Sequence, residues 1–343
     1  MKSDPIKHHI KQLKALKQEL AFDVKKDMET QTKQIKEKLL DLLKIPNKMT
    51  DPIPVIEYES TEDERFDEIR FCVETEPDFF IPAHLLLPKE KKDKLPLVIC
   101  LQGHSPGMHV SLAREPYPSK QPIVVEGDRD FCIQAVSRGY AALAIEQRGF
   151  GELNTSKVME NGCHELSWQA ALMGKTLMGE RVRDVISFID AIELGFDFID
   201  MTKIGIMGNS GGGTLSYFTA CVDERIKVCM PSSSFCTFVE AWGSIYHCAC
   251  GYIPEILKYM EMPDMAMMIA PRPLVIVNGI HDPIQPFEAA QKAYKTVEKI
   301  YDVAGAPTNC SFVVGNEGHR FYAAQSWDIF DKYMGANKEC QRK

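Results

Sequence analysis

Ser210 lies in the run Lys203-Ile-Gly-Ile-Met-Gly-Asn-Ser-Gly-Gly-Gly213, where Gly208, Ser210 and Gly212 satisfy the pattern G-x-S-x-G. An apolar strand candidate precedes it and a helical segment follows. A tight turn between two such elements forces its central residue into strained dihedrals, and glycine on either side relieves the crowding. The hydroxyl is then pushed out over the sheet edge. The following helix aims its first amides at the same point, so the backbone N–H of Gly211 can stabilise a developing oxyanion. The bland alternative is a glycine-rich turn with a capping serine; the flanking strand and helix favour the chemical reading. Phosphate binding by GNSGGG is disfavoured, because a phosphate loop ends in GK[ST] and a dinucleotide loop needs an acidic partner after the second strand.

A serine hydroxyl is a poor nucleophile until an imidazole takes its proton, and that imidazole needs an acid to fix its tautomer. After the serine, the acid and then the histidine are expected on loops that follow strands. RPLVIVNG leads into Ile280-His-Asp-Pro-Ile-Gln-Pro286 and offers Asp282; NCSFVVGNEG leads into His319. Open α/β sheets place their sites at such carboxyl ends. There are competitors. His281 adjoins the acid, so its ring should point elsewhere. Glu317 could cap its own loop or replace the acid, and Asp264 falls in an irregular stretch. Asp282 would also suit a plain turn before Pro283. A second oxyanion donor is expected from Gln102-Gly-His-Ser-Pro-Gly107, where glycine permits close backbone approach. The N–H of His104 is the best placed, with Ser105 next; the His104 side chain is given no catalytic role.

The elements that must position these residues can be read from hydrophobic patterning. LPLVICLQG, YAALAIEQRG, KIGIMGNSGG, IKVCMPSS, RPLVIVNG and NCSFVVGNEGH are short continuous apolar runs ending in small or polar residues, as strands buried on both faces require. VRDVISFIDAIEL, GTLSYFTACV and FEAAQKAYKTVEKI read as helices between them. This alternation over residues 96–330 predicts a doubly wound, mostly parallel sheet flanked by helices. Ahead of it, RFDEIRFCVETEPDFFIPAHLLLPK alternates like antiparallel strands around a polar turn at Glu76–Asp78. Residues 5–44 carry apolar positions at helical spacing until Pro46 and the Pro52–Pro54 pair break the pattern. They suit an amphipathic cap on the main domain, or else a partner-binding or dimerisation arm. The expected division is 1–50 helical extension, 51–335 catalytic domain and 336–343 C-terminal tail. Stretches 104–130 and 232–264 lack the strand–helix rhythm and are candidates to shape a pocket. Trp168, Met173, Trp242 and Tyr246 are its expected substrate-facing residues, with core packing as the dull alternative for Trp168 and for His247. The Met-rich run MEMPDMAMM should fill irregular core space.

Composition narrows the function classes. With 343 residues, 45% apolar and 26% charged, the chain can bury a large core, and its formal charge of -8 argues against a non-specific nucleic-acid binder. The N-terminus does not read as a signal peptide, and no apolar run is long enough to span a bilayer. Eleven cysteines are widely spread, with Cys248 and Cys250 forming a lone CxC. The odd count and the lack of paired CxxC units favour reduced, structural thiols in a cytoplasmic protein. No metal and no cofactor is expected.

Together, LQGHSPG, EQRGFGE at 146–152, GNSGGG, APRPLVIVNGIHDPIQP and GNEGHRF give the chain a resemblance to the α/β-hydrolase superfamily, in its acetyl xylan esterase-like and dienelactone hydrolase-like branch. The resemblance covers residues 55–335. It implies an α/β-hydrolase fold and a triad on Ser210, Asp282 and His319. In carbohydrate esterases of this kind the reaction removes acetyl groups from sugars. Two departures stand out: Gln102 occupies a position where histidine is common, and dienelactone hydrolases proper use a cysteine nucleophile where this chain has Ser210. The expected activity is serine-dependent hydrolysis of a small ester, such as an acetylated sugar. A prolyl-oligopeptidase-like peptidase is the alternative, and a non-catalytic hydrolase-like binding protein is a third. The helical preface is compatible with homo-oligomerisation.

Overall fold

The computed structural model describes residues 3–45, 54–55, 61–62, 64–90, 94–104, 106–158 and 161–335. Ser105 and the 336–343 tail lie outside them. The chain opens with helix α1 (Pro5–Ala15), capped by Asp4, and helix α2 (Met28–Leu43), capped by Asp27. Among the described residues, ten strands form one sheet: β1 (Pro54–Val55), β2 (Thr61–Glu62), β3 (Phe66–Glu76), β4 (Phe79–Pro88), β5 (Leu95–Leu101), β6 (Ala141–Ile145), β7 (Ile199–Asn209), β8 (Ile226–Ser232), β9 (Leu274–Gly279) and β10 (Cys310–Gly315). Between and after them run α3 (Phe131–Val136), α4 (Cys163–Leu172), α5 (Leu177–Gly195), α6 (Gly211–Val222), the short α7 (Ile256–Tyr259), α8 (Phe287–Val303) and α9 (Ala323–Met334).

The sheet order is β1-β3-β4-β6-β5-β7-β8-β9-β10, with β2 on β3. From β6 to β10 every neighbouring pair is parallel. The pairs β3–β4 and β4–β6 are antiparallel, so the expected hairpin forms, with Asp78 taking positive φ in its turn. Within the parallel strands, alternate residues serve opposite faces. Leu97, Ile99 and Leu101 join one core while Val98 and Cys100 join the other; Leu274 and Ile276 oppose Val275 and Val277 in the same way. Both faces are therefore dry, which is why the sequence runs are unbroken apolar stretches rather than alternating ones.

The N-terminal helices differ in their attachment. α2 sends Ile35, Leu39, Leu42 and Leu43 into the same core as β5, α5, α6 and α8. α1 has no buried residue. The link between them is latched by backbone bonds from Glu19 and Leu20 to Lys258 and Tyr259, and by the amide of Phe22 donating to Asp264 at 2.9 Å. Asp264 thus serves as a structural cap. Met260, Met262, Met265, Met267 and Met268 are buried, in line with the space-filling role expected of that run. Cys100 and Cys229 are buried like small apolar residues.

Strand β5 has β6 on one side and β7 on the other. The chain leaves β5 for β6 through α3, then crosses back through α4 and α5 to β7. Where the winding reverses, between β5 and β7, the loops leaving the carboxyl ends of the strands border a crevice. Leu101 at the end of β5 pairs in register with Gly208 of β7. The loops carrying Gly103–His104 and Ser210 therefore emerge side by side.

Candidate active site

Ser210 occupies the turn from β7 into α6 with φ 56° and ψ -126°. This is a strained conformation for a residue with a Cβ. The surrounding turn leaves no slack: a Cβ on Gly212 would lie 2.1 Å from the carbonyl oxygen of Leu101, and one on Gly208 2.5 Å from that of Gly212. The Ser210 side chain makes no capping bond to α6, which removes the bland reading of a helix-capping serine. Its amide is spent on Ser232 O at 2.8 Å.

Asp282 follows β9 and His319 follows β10, two strands paired in register up to Gly279 and Gly315. His319 Nδ1 lies 2.8 Å from Asp282 Oδ2. The other carboxylate oxygen of Asp282 accepts the amides of Ile284 and Gln285 at 3.0 and 2.9 Å. The Asp282 side chain has no solvent exposure, against 23% for that of His319. An acid so buried and bonded holds the ring in one orientation with Nε2 left for other work. The competitors are otherwise engaged: Glu317 pairs with Arg320 at 2.8 Å, and Asp264 caps the turn at Glu261.

Ser210, Gly211, His319, Gly103 and His104 line one cleft of about 1100 Å³. A Cβ on Gly103 would lie 2.8 Å from Ser210 Cβ, so only glycine lets the β5 loop approach the serine this closely. Of the residues expected to face substrate, Trp242 and Tyr246 line the cleft. Trp242 is buried and stacks on His247 with centroids 4.8 Å apart, while Tyr246 is exposed and its hydroxyl lies 3.1 Å from His164 Nε2. Trp168 and Met173 fall outside that lining. They lie on α4 and at its C-terminal cap and are 65% and 60% exposed; neither packs in the core. His247, weighed from the sequence against a core role, lines the cleft, and Gln285, Asn161, His164 and Glu126 supply polar lining that patterning did not single out. Burial holds the His247 imidazole below the usual histidine range. The 104–130 and 232–264 stretches do contribute walls, through residues 125–129 and 242–251.

Behind the cleft, the EQRGFGE segment is pinned by charge. Arg148 pairs with Asp184 at 2.6 and 2.7 Å and with Glu76 at 2.6 Å. Glu146 is buried and accepts the amides of Met108 and Glu152, each at 3.1 Å. Gln102 is buried and donates to Ser111 Oγ and Arg129 O at 2.6 and 2.7 Å, so it fastens the loop rather than facing the cleft chemistry.

One feature at the rim went unanticipated. His104, Cys163, Cys248 and Cys250 converge, with one ligand-type atom from each lying within 4.8 Å of the others. Cys163 begins α4, Cys248 precedes the short 3-10 turn Ala249–Gly251 as its N-cap, and Cys250 lies within that turn. The lone CxC was the only trace of this cluster in the sequence.

Comparison with known proteins agrees with this architecture. Residues 130–329 match the prolyl oligopeptidase family and residues 4–177 match a family described as Abhydrolase. A protein of Bacillus subtilis (strain 168) named as a hydrolase, YtaP, is 27% identical over 251 residues, covering 71% of this chain and 79% of that one. A Bacteroides fragilis structure described as an acetyl xylan esterase superposes with TM-score 0.78 at 13% identity, covering 98% of this chain and 91% of that chain. A glucuronoyl esterase from Solibacter usitatus gives TM-score 0.65 at 13% identity, covering 91% and 94%. At such identities the two structures speak to the fold alone. The family matches and the shared fold place this chain in the α/β-hydrolase superfamily, as a member of the Abhydrolase family through its N-terminal half and of the prolyl oligopeptidase family from residue 130 to 329.

Proposed function

We propose that the chain is a serine-dependent carboxylic ester hydrolase acting on acetylated sugars or other small esters. The observation that carries this reading is the buried Asp282–His319 pair, 2.8 Å apart, on the same cleft as a strained Ser210 at a strand-to-helix turn. His319 Nε2 takes the Ser210 proton as Oγ attacks the ester carbonyl. The amides of Gly211 and His104 hold the oxyanion, where preorganised donors act most strongly. His319 returns the proton to the departing alcohol and leaves an acyl-serine. It then deprotonates the water that releases the acid. Asp282 stays ionised and orients the ring. The polar wall formed by Asn161, His164 and Gln285 beside Trp242 and Tyr246 suits a hydroxyl-rich alcohol with an apolar face. The esterases that share the fold are in keeping with this choice.

The family match over residues 130–329 favours a second reading, a peptidase, because the same groups can attack an amide. Ser210→Ala tested on a small aryl ester, alongside acetylated sugars and proline-containing chromogenic peptides, separates the possibilities. Loss of ester turnover by several orders of magnitude is expected. Near-full turnover by the variant would dismiss the serine mechanism, and cleavage confined to peptides would favour the second reading. Fluorophosphonate labelling, abolished in Ser210→Ala, reports the activated hydroxyl without knowledge of the natural substrate.

A further inference from the structure

We propose that His104 Nε2 and the Sγ atoms of Cys163, Cys248 and Cys250 bind one Zn²⁺ ion that fastens the loop after β5 to the two segments walling the cleft. His104 Nε2 lies 3.7 Å from Cys163 Sγ and 3.2 Å from Cys250 Sγ. All four ligand atoms fall within 4.8 Å of one another. A tetrahedral zinc with bonds of about 2.3 Å to sulfur and about 2.0 Å to nitrogen sets its ligand atoms about 3.5–3.8 Å apart. The cluster therefore needs only small side-chain adjustments to close on an ion. Three thiolates and one imidazole in a tetrahedral set select zinc over the oxygen-seeking cations.

A second observation points the same way. Arg181 is 2% exposed, and its Nη2 lies 3.1 Å from Cys163 Sγ. Among the described residues it forms no ion pair with a carboxylate, although Arg70, Arg114, Arg148 and Arg225 all do. A guanidinium taken out of water requires a negative partner nearby. Neutral thiols do not supply one. A Zn²⁺ ion with three thiolates carries a net charge of -1, which Arg181 balances.

The site has a consequence for the cleft. The His104 ring lies 3.2 Å from where a Cβ on Gly211 would sit, and it packs edge-on against Phe150 with centroids 5.4 Å apart. A ligated ring cannot swing. The backbone of His104, whose amide is the proposed second oxyanion donor, is then held in place beside Gly211. With four protein ligands the coordination is closed, so the ion positions the loop and does not polarise substrate. Metal binding stands apart from the esterase reading; only the effect on the oxyanion amide rests on it.

The test is elemental analysis of the intact protein produced in zinc-replete medium, together with Co²⁺ titration of chelator-stripped protein. About one zinc per chain is expected, with thiolate-to-Co²⁺ charge-transfer bands and the intense visible bands of a tetrahedral centre. Cys163→Ser and Cys250→Ser should each abolish both signals, while Cys72→Ser retains them. Because a cysteine variant can misfold, the wild-type protein alone is decisive. Absence of stoichiometric zinc and of a Co²⁺ spectrum overturns the proposal, as does zinc retained by the Cys163→Ser/Cys250→Ser variant. Removing the ion should lower kcat on an aryl ester with KM little changed. If fluorophosphonate fails to label Ser210 in metal-loaded protein, the esterase reading falls and the zinc result is unaffected.

Discussion

Glu146 offers a stability measurement whose sign and size follow from its surroundings. The residue is 2% exposed, and its carboxylate accepts the Met108 and Glu152 amides. Those bonds favour the charged form, but burial outweighs them and, with Glu152 nearby, pushes the group up from 4.5 to about 7. The folded state therefore holds its proton more tightly than the unfolded chain. The stabilisation linked to that proton is fully present below pH 4.5 and is lost as pH rises through 7. A shift of this size corresponds to about 3 kcal/mol between the two limits. Glu146→Gln replaces the carboxyl with a group that cannot ionise and resembles the protonated form. Unfolding free energies from urea titrations of both proteins, measured from pH 4 to 8, give the difference directly. Relative to wild type, the variant should gain about 3 kcal/mol across that range, on top of a constant offset of about 1 kcal/mol for the altered amide contacts. A difference that stays flat from pH 4 to 8 would refute the burial argument.

Further outcomes follow from other contacts. Asp282→Asn should leave the fold intact yet reduce kcat on an aryl ester about 10⁴-fold, since the amide favours the wrong tautomer of His319; steady-state kinetics read this directly. Arg114→Met leaves the buried Glu68 without the guanidinium that pairs with it and should cost about 3–5 kcal/mol in chemical denaturation. Arg114 and His84 hold the Glu68 carboxyl far below the usual carboxylate range, so the stability they confer is present above about pH 4.5 and falls in acid. The variant should accordingly lose less than wild type on acidification. Trp168→Ala, on the exposed side of α4, should shift stability by under about 0.5 kcal/mol and leave KM for an ester unchanged, whereas Tyr246→Ala should raise KM.

The parallel strands were legible because a strand covered on both faces must be apolar throughout. The turn at Ser210 was legible because close packing admits only glycine at Gly208 and Gly212. The meeting of Asp282 with His319 followed from strand order, since each loop leaves the carboxyl end of one of two paired strands. Helix α9 was not anticipated: its buried face mixes the bulky Trp327, Phe330 and Met334 with the polar Ser326 and Asp331, which blurs the apolar stripe in the sequence. Which face of α4 meets the protein was equally opaque, because that helix carries Trp168 outward and Cys163 inward. The His104–Cys cluster was invisible for a geometric reason. Its members come from segments separated by 59 and 146 residues, and a search by spacing finds only neighbours. Tertiary folding, not local pattern, brings them together.

Helix α2 carries a practical message for anyone trimming this protein. Ile35, Leu39, Leu42 and Leu43 are shared furniture of the main core, so a version starting after residue 45 would bare an oily trench along α5, α6 and the methionine-rich turn. Such a shortened protein should clump in the cell rather than report on the helices' own contribution, and removal of α1 alone is the gentler cut.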